Sequence, residues 1–208
     1  MRLSQSICST LLASSFLFGN AQGKDDRRII GYRTVSRAEA DFINKNNKLY
    51  RDTDFDLMAL LFNQFGPGFN IVNVPAGWPG APDEWYCVIE ADRKKFNSAS
   101  KLWIPEDYQQ VNWIKSVQVI PLWSGNEHDV KSYIRSKKLD PEKTLRFLPV
   151  TLLDPDRNEL LQMIIPTEVV NSNQLDLWAE CWETKRELYD YSRETVYYMS
   201  WNIVGKPK

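Results

Sequence analysis

Apolar residues recur along this chain at two spacings, and the spacings divide it into elements. "IIGYRTV" (29–35) is β-branched and aromatic and predicts a first strand. Ser36 followed three places later by Glu39 is a capping-box spacing. Ala38, Phe42 and Ile43 then line one side of a helix reaching Asn46. A second helix is expected over Asp54–Gln64, where Met58, Leu61, Phe62 and Phe65 keep helical spacing until "GPG" at 66–68 stops it. "FNIVNV" reads as a strand, "PAGWPGAP" as a loop with Trp78 near its tip, and "EWYCVIEAD" as a strand. "DRKKF" reads as a solvated surface turn, "KLWIP" as a short strand and "NWIKSVQVIPLW" as another. "EHDVKSYIRSKK" fits a polar surface helix with Val130 and Ile134 inward. "LRFLPVTLL" is extended, "DPDRN" is a turn, and "NELLQMIIPTEVV" is a strand interrupted by one amide, Gln162. "NQLDLWAECWETKREL" carries Leu175, Trp178, Cys181, Trp182 and Leu188 and predicts a late helix, followed by a closing strand, "VYYMSWNIVG". Early helices and a strand-rich middle give an α+β class.

Composition narrows the chemistry. Arg2, the apolar or small run Ile7–Phe18, and the small residues Ala21 and Gly23 have the layout of a signal peptide over 1–23. The remainder, 24–208, then reads as one secreted domain with no stable membrane association. The alternative is a buried N-terminal helix. A net charge of −1 gives no electrostatic case for nucleic acid. Of three cysteines, Cys8 lies in the signal-like stretch, leaving Cys87 and Cys181 for one disulfide or two buried thiols. The single histidine, His128, opens a polar helix and is expected in solvent, which removes His-based zinc sites and Ser-His-Asp triads. No phosphate-binding Gly-rich fingerprint and no Asn-x-Ser/Thr acceptor occurs.

Three segments share an order. "GYRTV" stands on the first strand, "GPGFNIV" follows a helix, and "LQMIIPTEVV" comes late. In order and character they resemble the ADP-ribosyltransferase superfamily, in particular secreted fungal proteins related to heat-labile enterotoxin A chains. The resemblance implies split β-sheets around an NAD cleft, with two N-terminal helices and a late C-terminal one. It implies NAD as substrate and a host protein as target, the role of a toxin or effector. By position, Tyr32 matches the aromatic residue before the first-strand Arg or His, and Arg33 matches that cation. Gly66, Gly68 and Phe69 match the turn that opens the second strand. Asn70 stands where family members of one type carry a nicotinamide-stacking Tyr. Gln162 falls at the catalytic Glu.

Gln162 bears directly on catalysis. Cleaving the nicotinamide glycosidic bond develops positive charge on the ribose, and a carboxylate stabilises it. An amide keeps hydrogen bonds and loses the charge, at a cost of about 10²–10³ in rate. Glu159 and Glu168 are the acids that a shift in register would bring to that position. The expectations are therefore an active transferase, a degenerate relative that binds without turnover, or a carbohydrate- or protein-binding module with Trp78 as its platform.

Overall fold

The computed structural model describes residues 26–51, 67–78, 80–81, 83–111, 114–150 and 160–207. It is an α+β chain built on one seven-stranded mixed sheet and a separate two-stranded hairpin. Strand β1 (Arg27–Val35) leads into α1 (Arg37–Asn46). The Ser36 hydroxyl accepts from the Glu39 N–H, as the capping spacing predicts. The Glu39 carboxylate does something else: it pairs with Arg51 at 3.3 Å. The buried side of α1 is accordingly Glu39, Ala40 and Ile43, while Phe42 is exposed and contacts Tyr50.

Strands β2 (Gly68–Val72) and β3 (Trp85–Asp92) follow, then α2 (Arg93–Ser98). "DRKKF" is thus a short helix, because the Asp92 side chain caps the Lys95 N–H while Phe96 is buried. Strand β4 (Lys101–Trp103) precedes the hairpin of β5 (Asp107–Val111) and β6 (Val117–Pro121). Helix α3 (Glu127–Ser136) buries Val130, Tyr133 and Ile134 and leaves His128 in solvent, as its pattern predicts. Strands β7 (Leu145–Pro149) and β8 (Leu161–Pro166) lead to α4 (Thr167–Asn171).

The late helix is displaced. Trp178–Trp182 is a strand, β9, and the helix, α5 (Lys185–Tyr191), begins only after Thr184 caps it with a full capping box. Cys87 and Cys181 face each other across β3 and β9 and form the disulfide. The expected closing strand is instead an irregular segment with a 3₁₀ turn at Tyr198–Ser200 and a single bridge from Val204 to Leu102. The expected helix over 54–64, the turn at 154–158 and the signal-like stretch lie outside the described residues.

The sheet order is β4-β7-β8-β2-β1-β3-β9, parallel only between β4 and β7. β1 runs beside β3 from Arg27 opposite Asp92 to Val35 opposite Trp85. Against β2 it is in register only where Tyr32 meets Val72. The C-terminal segment passes this narrow join. The Tyr32 hydroxyl donates to the Glu194 carbonyl at 2.7 Å on one face. The Val196 N–H then donates to the Asn73 carbonyl at 2.8 Å. On the other face the buried Tyr198 hydroxyl donates to the Ile30 carbonyl at 3.0 Å and its ring meets Phe147 edge-on at 5.3 Å.

Both faces of the sheet are covered. α1 packs on one by burying Ala40 and Ile43 in the main core, and its Asn44 also closes the free edge of β9, donating to the Cys181 carbonyl and accepting from the Cys181 N–H. α5 and α3 cover the other. There Tyr191 donates to Glu90 at 2.7 Å and packs on Trp178 and Trp182, and Arg146 donates twice to Glu127, at 2.9 and 3.1 Å.

Candidate functional site

Side chains alternate between the faces of a strand, and residues opposite each other in a ladder share a face. The register therefore sorts the sequence-derived site residues into two groups. Gln162 is opposite Val72, and Val72 is opposite Tyr32, so these three lie on one face. Asn70, two residues from Val72, shares it. Arg33 and Phe69 have the other parity and lie on the opposite face with Cys87.

On that face the expected convergence of cation and ring is present. The Arg33 guanidinium sits over the Phe69 ring with Cζ 4.4 Å from the centroid. Its Nη1 donates to the Asn70 carbonyl at 3.1 Å. Sequence reasoning missed a second guanidinium. Arg51, fully buried, lies 5.8 Å from the same ring centroid. The Glu39 carboxylate partly balances its charge, and Asn171 holds its backbone, accepting from the Arg51 N–H and donating to its C=O. The only sequence signal for this was a charged residue inside the first turn of α1 that a capping role explained too easily. Two cations pack on this fully buried ring, and of the two only Arg33 is partly exposed, so anion contact at this corner falls to Arg33. They offer no general acid or base.

Gln162 is separated from this corner by the thickness of the sheet. It is 7 % exposed, with its backbone between Val72 of β2 and Leu148 of β7. The expected common groove of Arg33, Phe69 and Gln162 is thus not formed, because residue parity sends the amide to the far side. Tyr32 is also on the far side and is committed to the C-terminal segment, bonding Ser192 and Glu194. Burial raises its phenol pKa, with the Ser192 contact opposing. Glu168 is exposed on α4. Glu159 and Gly66 lie outside the described residues.

Gly68 has a role that does not involve a ligand. At φ +154°, a Cβ there would stand 2.5 Å from the Ile165 carbonyl oxygen. The glycine permits β2 to close on β8. Gly68→Ala is expected to cost about 1–3 kcal/mol, the range for forced overpacking, read from the urea unfolding midpoint. Trp78, the expected sugar platform, is half-buried against the core and its carbonyl accepts from the Thr34 hydroxyl.

A second cationic–aromatic cluster, also unread in the sequence, ties α2 to the tail. Arg28 packs over Trp201 at 4.9 Å and Phe96 at 5.7 Å. The Lys101 ammonium is buried, sits over Phe96, and donates to the Phe96 and Ala99 carbonyls at the end of α2. Burial, and then the nearby Arg28, lowers its pKa to about 8. Among the described residues no group of His, Cys, Asp and Glu could hold a metal ion, and no helix is long and apolar enough to cross a membrane.

A family model described as "Family of unknown function (DUF5910)" matches residues 63–206. This chain belongs to that family. No curated protein and no solved structure matches it. The DUF5910 span includes Phe69, Gln162, both disulfide cysteines, the hairpin and the crossing tail. Arg33 and Glu39 precede it, so the cationic corner is assembled partly from residues outside the DUF5910 match.

Proposed function

We propose that this DUF5910 chain is an exported protein that acts by binding a protein partner and does not turn over NAD. Export is supported by the signal-like N-terminal pattern and by the Cys87–Cys181 disulfide, which belongs to an oxidising compartment. The observation that carries the reading is the placement of Arg33 and Gln162 on opposite faces of one sheet. A single nicotinamide ribose cannot touch both. A neutral amide would in any case leave the developing ribose charge unmatched. A protein partner is favoured over a glycan because Trp78 is held against the core rather than displayed.

One observation favours a second reading, that of a degenerate ADP-ribosyltransferase relative which still holds NAD. Arg33, partly exposed and held over the buried Phe69 ring, presents a guanidinium suited to a phosphate. One experiment separates the readings. The purified chain is incubated with NAD and nicotinamide release is measured; the same samples are titrated with NAD by calorimetry. Release at the no-protein rate, unchanged in Gln162→Glu, is the expected result. Turnover abolished by Arg33→Ala would overturn the proposal. Heat of NAD binding without turnover, lost in Phe69→Leu, would select the degenerate relative.

A further inference from the structure

The β5–β6 hairpin is the one element of the described structure whose sheet has no third strand. Its inner face is anchored: Tyr108 meets Tyr133 of α3 at 5.1 Å, and Ile120 packs against the Leu102–Ile134 cluster. Its outer face is apolar. Val111 and Val117 are directly opposite each other, and Val119 is opposite Gln109, so all three valines share that face. They are 64 %, 57 % and 57 % exposed. Exposed branched aliphatic residues set side by side on an anchored hairpin point to an interaction surface.

The charges around the patch select its occupant. No charged residue lies between Asp107 and Lys115 in the sequence, and Val117–Pro121 of the partner strand carries none. Asp107 stands at the base of the hairpin, and Lys115 at the turn, held at φ 61°. If two such faces stack about a two-fold axis with the hairpins antiparallel, valines meet valines and each Asp107 meets the other copy's Lys115. The surface is complementary to itself, as an isologous contact requires. An anionic lipid surface would instead meet the acids Glu106 and Asp107 at the base and one lysine at the turn. A net charge of −1 adds little repulsion between copies. We propose that the Val111–Val117–Val119 face of the hairpin is a homodimer interface, antiparallel, with reciprocal Asp107–Lys115 contacts. It stands independently of the binding function proposed above.

Sedimentation velocity of the purified chain over a wide concentration range tests it. The expected result is a monomer–dimer equilibrium abolished by Val119→Lys, with an unchanged circular-dichroism spectrum showing that the variant is folded; Val117→Lys serves equally. Asp107→Lys and Lys115→Asp each weaken the dimer about tenfold, and the double swap restores it. A chain monomeric at every concentration overturns the proposal. So does a dimer indifferent to Val119→Lys, or a double swap that fails to rescue. A monomer that co-sediments with phosphatidylserine vesicles through Val119 overturns it in favour of a lipid surface.

Discussion

The paired substitution Cys87→Ser/Cys181→Ser is expected to lower the unfolding free energy by about 4 kcal/mol. The two cysteines are 94 positions apart and lie in directly opposed places on β3 and β9. In the chain-entropy account, a cross-link closing a loop of that size removes about 4–5 kcal/mol of freedom from the denatured ensemble. Both positions are buried, so serine hydroxyls add a desolvation cost. The measurement is equilibrium urea denaturation of the oxidised protein and the double variant. A loss below about 1 kcal/mol would mean that the denatured chain already keeps β3 and β9 together. The effect matters beyond stability, since β9 also carries the docking of α1 through Asn44.

Phe147→Ala is the second large effect, at about 4 kcal/mol. Phe147 is fully buried on β7, between Trp103 at 5.7 Å, Tyr198 at 5.3 Å and Trp201 at 6.0 Å. Two of those rings belong to the crossing tail and one to β4. Removing the phenyl group leaves a cavity that none of the three can fill without moving the tail. The loss is measured by urea unfolding. Hydrogen exchange should show the Val196 and Trp103 amides, which donate to Asn73 and Val204, among those that lose protection.

Where sequence and structure agree, the local pattern had one physical meaning. "IIGYRTV" and "EWYCVIEAD" hold too many β-branched and aromatic residues for a surface helix, and both are strands. The α3 pattern places Val130 and Ile134 one turn apart, and both are buried. Segment 178–182 was ambiguous. Trp178, Cys181 and Trp182 fit helical spacing, yet Trp178 and Trp182 also alternate with Ala179 and Cys181. The Trp rings kept the half-buried side apolar, so its single polar residue, Glu180, did not decide between the two periods. β5 was missed for the opposite reason: "DYQQV" is mostly solvated and shows no alternation to read. The tail is rich in aromatic residues because its side chains fill the core, not because its backbone joins a ladder.

The candidate site divides along the same line. That Arg33 and Phe69 would meet was expected from the resemblance alone, which puts both at one cleft. That Gln162 would face away was not. Which face a strand residue occupies depends on the pairing register with distant strands, and a one-residue shift reverses it. Arg51 was hidden because its partner, Glu39, lies twelve residues earlier in a helix end, where an acid is already expected.

The connectivity of the large sheet also governs how fast it can assemble. Two of its pairings, β2 with β8 at the centre and β3 with β9 at one edge, join opposite halves of the polypeptide. Such a topology has high contact order, and chains of this kind fold in about milliseconds to seconds because long loops must close before any ladder rewards them. A thiol pair oxidised early performs one of those closures in advance. Refolding from urea with the cross-link intact therefore starts nearer the transition state than refolding of the reduced polypeptide, which must search for β9 by diffusion alone.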